Sequence, residues 1–212
     1  MPVEIELKYS LDEAVARQLL TLRRLGAYAL TPFDVKTVID VYYDTSDRSI
    51  ARTGYALRFR RKGDNASLQL KSLTPAAGSW HRRRELHIST PHPTEPERWP
   101  DTPEADFLRE ILGQRSLQSL FTIHQQRHEA RVLDAAGAPF ALLSLDEVRW
   151  QAGKREQRAW ELEIELLPQG NEALLQALAE ALRAMPGLHP QARSKYERGM
   201  ALLGDQLDGA PS

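Results

Sequence analysis

The chain has 212 residues, with 28 Lys and Arg against 29 Asp and Glu and no cysteine. That length suits one substantial domain, and a net charge of −1 gives no support to a nucleic-acid or membrane-surface partner. Disulfides and thiolate metal sites are excluded, and no stretch approaches the roughly 18 apolar residues of a membrane span.

The opening segment, Val3 to Tyr9, alternates: Glu4, Glu6 and Lys8 share one face of a strand, and Val3, Ile5, Leu7 and Tyr9 the other. It lacks the apolar core of a signal peptide, so a cytoplasmic protein is expected. Ser10 and Glu13 have capping-box spacing, and a helical stripe then runs from Leu11 to Leu25, with Gly26 as its C-terminal stop. Residues 35–44 are β-branched and aromatic and read as a strand. Thr45 to Arg48 is a turn that opens a single helical turn before Gly54.

Two further strands repeat the opening pattern. Leu57 and Phe59 oppose Arg58 and Arg60, Leu68 and Leu70 oppose Gln69 and Lys71, and Gly63-Asp-Asn65 joins the two as a hairpin. Residues 79–89 form another strand, with Arg83, Glu85 and His87 on one face. A proline-rich link over 89–100 leads to a helix that starts at Thr102-Pro103 and ends at Gly113. Strands are then predicted over about 119–133, 139–151 and 157–167, the last setting Glu161, Glu163 and Glu165 against Leu162, Ile164 and Leu166. Asn171 caps a helix that stops at Met185-Pro-Gly187, and a last helix spans 194–203. One domain over 1–203 with a flexible tail over 204–212 is expected. The histidines show no metal spacing, and His81 and His87 are expected at the surface.

Eight strands joined mostly by short links favour an antiparallel sheet, and eight can close into a barrel with room for one small ligand. The expected fold is α+β and mainly β: a closed eight-stranded antiparallel barrel, charged inside, with helices packed on the apolar faces outside. Its lining would be Glu4, Glu6, Glu85, Asp146, Glu161, Glu163 and Glu165, with Lys8, Arg58, Arg60, Lys71, Arg83 and Arg127 opposite. Carboxylates two apart on a strand are about 6.6 Å from each other and repel by roughly 2.5 kcal/mol at an effective dielectric of 20. Divalent ions with a taste for hard oxygen, Mg²⁺ or Mn²⁺, relieve that repulsion, and a polyphosphate satisfies the arginine forks. Internal ion pairing is the alternative, and such pairs barely recover their desolvation cost.

The Glu4-x-Glu6-x-Lys8 strand, the Leu-Arg58-Phe-Arg60 and Leu-Gln-Leu-Lys71 strands and the closing Glu161-Leu-Glu163-Ile-Glu165 resemble the CYTH family of triphosphate tunnel metalloenzymes. His-Arg-Arg83-Arg-Glu85, Phe121 to Arg127, Leu145-Asp146-Glu-Val and Ser194-Lys195-x-x-Arg198-Gly199 carry the resemblance across residues 3 to 203. It implies metal ligands at Glu4, Glu6, Glu85, Asp146, Glu161 and Glu163, and triphosphate contacts at Lys8, Arg58, Arg60, Lys71, Arg83, Arg127 and Lys195. Glu4, Glu6, Lys8 and Lys71 would form the catalytic set. Val148 departs from the pattern, since many relatives have Gly two residues after the aspartate.

The likeness is greatest to bacterial inorganic triphosphatases. It implies hydrolysis of tripolyphosphate or another small triphosphate, dependent on Mg²⁺ or Mn²⁺, by a monomer or homodimer. A class IV-type adenylyl cyclase, a thiamine triphosphatase and a non-catalytic polyphosphate-binding module are the alternatives.

Overall fold

The structure, a computed structural model, describes residues 3–204, so most of the predicted tail lies outside the described residues. Its strands are β1 (Val3–Leu11), β2 (Arg24–Leu25), β3 (Tyr28–Leu30), β4 (Asp34–Asp44), β5 (Tyr55–Lys62), β6 (Asn65–Ser72), β7 (Trp80–Ser89), β8 (Gln118–Leu133), β9 (Pro139–Ala152), β10 (Arg155–Leu166) and β11 (His189–Pro190). The helices are α1 (Glu13–Thr21), α2 (Ser49–Arg52), α3 (Pro103–Leu112), α4 (Glu172–Arg183) and α5 (Lys195–Leu203). Eight long strands run in the order β8-β4-β5-β6-β7-β1-β10-β9, and β9 pairs back to β8. Every pairing is antiparallel, and the barrel predicted from the alternation is closed.

The first helix differs from its prediction. Ser10 remains in β1, paired to Glu161 and His189, and Asp12 is the true N-cap, accepting from the Val15 N–H at 2.8 Å. Cross-strand pairing on both sides outweighs the local capping box. The helix ends at Thr21, and Gly26, at a φ of 58°, turns the small β2–β3 hairpin that β8 extends. A Cβ on Gly26 would stand 2.9 Å from that of Ala181 in α4, so the turn also needs glycine for its close approach.

Three apolar clusters hold the frame. The outward faces of β1, β9 and β10 (Leu7, Leu145, Leu162, Ile164) are covered by α1 and α4 through Leu19, Leu175 and Leu178. On the other side Leu57, Leu68, Leu70 and Ile88 lie under α2 and α3. Each side chain fully buried in this way contributes roughly 1.5–3 kcal/mol.

The third cluster is inside. Tyr42, Phe121, Ile123, Val148 and Trp150 point inward at one end of the barrel and pack on Tyr196 and Met200 of α5. The expectation of a wholly charged interior therefore fails at this end, because the helix that stops the barrel must bury an apolar face of its own. Ser194 begins α5 with a capping box shared with Glu197, and the Trp150 indole N–H donates to the Lys195 carbonyl at 3.1 Å. The opposite end, where β1 and β4 begin and β8 and β10 finish, carries Glu4, Lys36, Glu129 and Glu165.

At Gly199 of α5 an added Cβ would fall 2.1 Å from the Phe121 ring. Helix propensity favours alanine there by about 1 kcal/mol, whereas forced overpacking costs about 1–3 kcal/mol and often more against a ring. Gly199→Ala is therefore expected to lower the thermal midpoint. An unchanged or raised midpoint would show that α5 is not seated against β8.

Candidate active site

Period-2 alternation on β1, β5, β6, β7, β8 and β10, together with the N-terminus of α5, turns one set of polar side chains into a single cavity. Its wall includes Glu4, Glu6 and Lys8 of β1, Arg58 and Arg60 of β5, Gln69 and Lys71 of β6, and Arg83 and Glu85 of β7. Ser72, Arg127, Ser144, Glu163, Glu165, Ser194 and Lys195 complete its polar part, and Tyr42, Ala56, Leu73, Leu142 and Tyr196 its apolar part. Seven cationic side chains thus face five carboxylates. Three of the seven, Arg60, Arg127 and Lys195, are also paired with buried carboxylates behind the wall, Asp40, Asp146 and Glu161.

All seven predicted phosphate contacts meet here: Lys8, Arg58, Arg60, Lys71, Arg83, Arg127 and Lys195. The predicted metal ligands divide. Glu4, Glu6, Glu85 and Glu163 line the cavity, and so does Glu165, whereas Asp146 and Glu161 are fully buried outside its wall. Asp146 accepts two hydrogen bonds from Arg127, at 2.7 and 2.6 Å, and one from Lys195 at 2.9 Å. Glu161 pairs with Arg198, whose guanidinium lies 4.1 Å from the centre of the Trp150 ring, and with Lys195 at 3.2 Å. The register of β9 is settled by these pairs: Asp146 stands between Arg127 and Glu161, and Val148, at the position of the departure, fills the inner apolar cluster.

Asp40 escaped the sequence reading. It is fully buried, takes both forks of Arg60 at 2.8 Å, accepts from the Gln125 amide at 2.8 Å and lies 3.6 Å from Arg58. Burial would push its carboxyl up, but Arg60 and Arg58 hold it well below the usual range. The signal was a lone acid amid β-branched residues, sharing parity with Val38 and Tyr42. His81 is a second correction. It is buried rather than exposed, because β1 and the 189–194 segment close over it. Its Nε2 lies 2.8 Å from the Gln191 carbonyl and its Nδ1 3.1 Å from Arg83, which together define a neutral Nε2–H ring. Burial, then Lys8 and Arg83, lower its pKa to about 4.

The cavity carboxylates are held mainly by cations. Lys71 lies 2.7 Å from Glu4 and 3.4 Å from Glu85. Lys8 lies 2.8 Å from Glu163 and 3.3 Å from Glu6, which Arg83 also grips. Burial raises the Glu6 carboxyl, yet Lys8, opposed by Glu163 and joined by Arg83, carries it down to about 2. Glu163, despite burial, is held well below its ordinary value by Lys195, Lys8 and Arg127. The alternative of internal ion pairing is thus realised, but around an open cavity. Arg83 keeps one buried donor, Nε, with no acceptor in the structure.

The donor chemistry of Glu4, Glu6, Glu85, Glu163 and Glu165 fits a hard divalent ion. Among the described residues no three such groups converge on one point, and Glu4, Glu6, Glu85 and Glu163 are each turned to a cation instead. Glu165 is the exception to neutralisation. Burial and the negative Glu4 push its carboxyl up to about 7, with Glu6 and Glu85 adding to the rise and only Lys71 opposing it. Uncompensated negative charge at this wall is what a bound cation would relieve.

The model of the CYTH domain matches residues 2–200. Among solved structures, an adenylyl cyclase candidate from Hippeastrum that shows a dominant triphosphatase activity is 21% identical over 97% of this chain and 98% of its own, with a TM-score of 0.67. An adenylate cyclase candidate from Bacillus halodurans is 20% identical over 93% and 98%, with a TM-score of 0.60. The Mimivirus capping enzyme triphosphatase is 10% identical over 85% and 89%, with a TM-score of 0.52. At these identities the likeness is one of fold.

Glu165 yields a test with a definite sign. Its folded pKa exceeds the ordinary 4.5, so the folded protein binds the extra proton and stability falls as pH rises from about 4.5 to 7. Glu165→Gln in excess chelator is expected to be more stable than the parent at pH 8 by about 1–3 kcal/mol, with a smaller gain at pH 5. Thermal denaturation at the two pH values measures it; an equal effect at both would refute the shift.

Proposed function

The chain belongs to the CYTH family, and we propose that it hydrolyses a triphosphate chain, inorganic tripolyphosphate, to pyrophosphate and phosphate. The observation that carries this reading is the cavity itself: seven cationic groups around one space, with the Arg83 Nε–H buried and unanswered. A chain of phosphates supplies oxygens all along such a wall, and planar guanidinium forks suit them. The triphosphatase activities described for the Hippeastrum and Mimivirus proteins support the same direction.

Glu4, Glu6, Glu85 and Glu163, with Glu165, would hold Mg²⁺ or Mn²⁺. When bound, such an ion neutralises phosphate oxygens and lowers the pKa of water. Arg58, Arg60 and Arg127 fix the chain, each held in turn by another side chain: Gln69 beside Arg58 on the wall, and the buried Asp40 and Asp146 behind Arg60 and Arg127. Lys8, Lys71, Arg83 and Lys195 absorb charge as the phosphoanhydride bond breaks.

The cyclase alternative needs a place for adenine. The aromatic surfaces in the cavity are Tyr42 and Tyr196, and they are engaged: Tyr42 stacks on Phe121 at 4.7 Å between ring centres, and Tyr196 tilts against Tyr42 at 5.6 Å. Phosphate contacts therefore dominate the available binding energy, and hydrolysis is favoured.

Product analysis with tripolyphosphate, ATP and thiamine triphosphate, each with Mg²⁺ and with Mn²⁺, is the test. Tripolyphosphate is expected to have the highest kcat/KM, and excess chelator to abolish turnover. Arg58→Ala should lower kcat/KM for tripolyphosphate and ATP by a similar factor, corresponding to about 2–3 kcal/mol for a charge-assisted contact. Cyclic AMP formed from ATP while tripolyphosphate stays intact would make the protein a cyclase.

A further inference from the structure

One charged cluster stands outside this grip. Lys36 of β4, Lys62 of β5 and Glu129 of β8 meet at the open end of the barrel. Lys36 Nζ lies 2.7 Å from one oxygen of Glu129, and Lys62 Nζ 2.6 Å from the other. Asp34 makes a further contact with Lys36 at 3.2 Å.

The strands put this cluster one inward step beyond the phosphate-facing residues. Lys62 follows Arg60 by two positions on β5, and Glu129 follows Arg127 by two on β8. Lys36 is the cross-strand partner of Arg127, and Ser144, on the cavity wall, is the partner of Glu129. The Glu129 side chain is only 7% exposed, whereas those of Lys36 and Lys62 are 38% and 34% exposed. Burial pushes the Glu129 carboxyl up, but hydrogen bonds from the two ammonium groups hold it below its ordinary range, so it is charged at neutral pH. Both lysines are thereby committed to a carboxylate.

Resting on the triphosphate reading above, the geometry points to Glu129 as a chain-length determinant. By occupying Lys36 and Lys62 it withholds two cations just beyond the grip. A fourth phosphate extending toward the open end meets a neutralised cluster built on a carboxylate, and finds no free cation there. Short chains are favoured because the grip ends where Glu129 begins. Freeing the lysines would extend the cationic wall by one step toward the opening.

The experiment compares tripolyphosphate with tetrapolyphosphate and longer linear polyphosphate in the full-length protein, by kcat/KM and by calorimetric Kd. Glu129→Gln is expected to raise the long-to-short ratio about tenfold, the effect of one added charge-assisted hydrogen bond, with tripolyphosphate turnover little changed. Adding Lys62→Met to Glu129→Gln should remove the increase. Lys62→Met alone, which leaves Glu129 with one ammonium partner fewer, should push the ratio below that of the parent, and it tests the idea even if Glu129→Gln fails to fold. A long-to-short ratio that does not move in these variants, with tripolyphosphate still bound and cleaved, overturns the role of Glu129 and leaves the triphosphate reading standing. A parent protein that neither binds nor cleaves tripolyphosphate overturns both.

Discussion

Charge pairing inside a closed barrel is the constraint on which the rest depends. A guanidinium or carboxylate removed from water costs several kcal/mol unless a partner meets it, so seven inward cations could not be tolerated singly. Three acids with no solvent exposure, Asp40, Asp146 and Glu161, answer that need from outside the cavity wall. They receive Arg60 and Arg127 with bidentate contacts, Lys195 through two of the three acids and Arg198 through one, which fixes those side chains in place. Such pairs add little net stability. Their benefit is preorganisation: a cation already locked loses little entropy when an anion arrives.

The inner apolar plug follows from the same requirement. Lys195 reaches the cavity only because α5 enters one end of the barrel, and a helix can enter only if its buried face is apolar. Tyr196 and Met200 supply that face, Gly199 lets Phe121 come close, and the Trp150 indole fixes the Lys195 carbonyl. Arg198, seated over Trp150 and paired with Glu161, joins the apolar plug to the charged network. A change in packing at Phe121 therefore reaches a cavity-lining ammonium through one helix. Stability and function share residues at this end of the barrel.

Much of this was legible in the sequence because a strand has period 2. Once Glu4, Glu6 and Lys8 are set opposite Leu7 and Tyr9, and the pattern recurs at Arg58, Lys71, Arg83 and Glu163, both the barrel and its inward side follow. Periodicity assigns a face but not a depth. It could not separate Glu163, on the cavity wall, from Glu161, two residues earlier on the same face and fully buried. That distinction depends on α5 and Arg198, which arrive from far along the chain. Asp40 and His81 were missed for a related reason: each is a single polar residue whose partners lie on other strands or in the 189–194 segment. The β2–β3 hairpin was hidden by a helical stripe that local pattern extends through Leu25 but tertiary pairing with β8 ends at Thr21.

The lumen is also polarised across its width. Its five carboxylates come from three adjacent strands, β7, β1 and β10, while Arg58 and Arg60 come from β5 on the other side and Arg127 of β8 reaches Glu163 at 2.9 Å. A uniform mixture of the same charges would neutralise itself and bind nothing strongly. Segregation instead creates a field across the cavity, strongest where low-dielectric walls exclude water. Under the proposed reading, an oxyanion chain would be drawn to the arginines, and a cation to the carboxylate wall beside them. Lys8, Lys71 and Arg83 sit on the acidic strands or next to them, and they occupy in the free protein the positions from which the carboxylates exert their pull. A cation bound there would compete with those ammonium and guanidinium groups for Glu4, Glu6 and Glu163, and each group released would become available to phosphate. The two ligands would thus reinforce one another through a shared set of side chains. That coupling follows from the strand order, since only adjacent strands can bring like charges to one wall while keeping their counter-charges within reach.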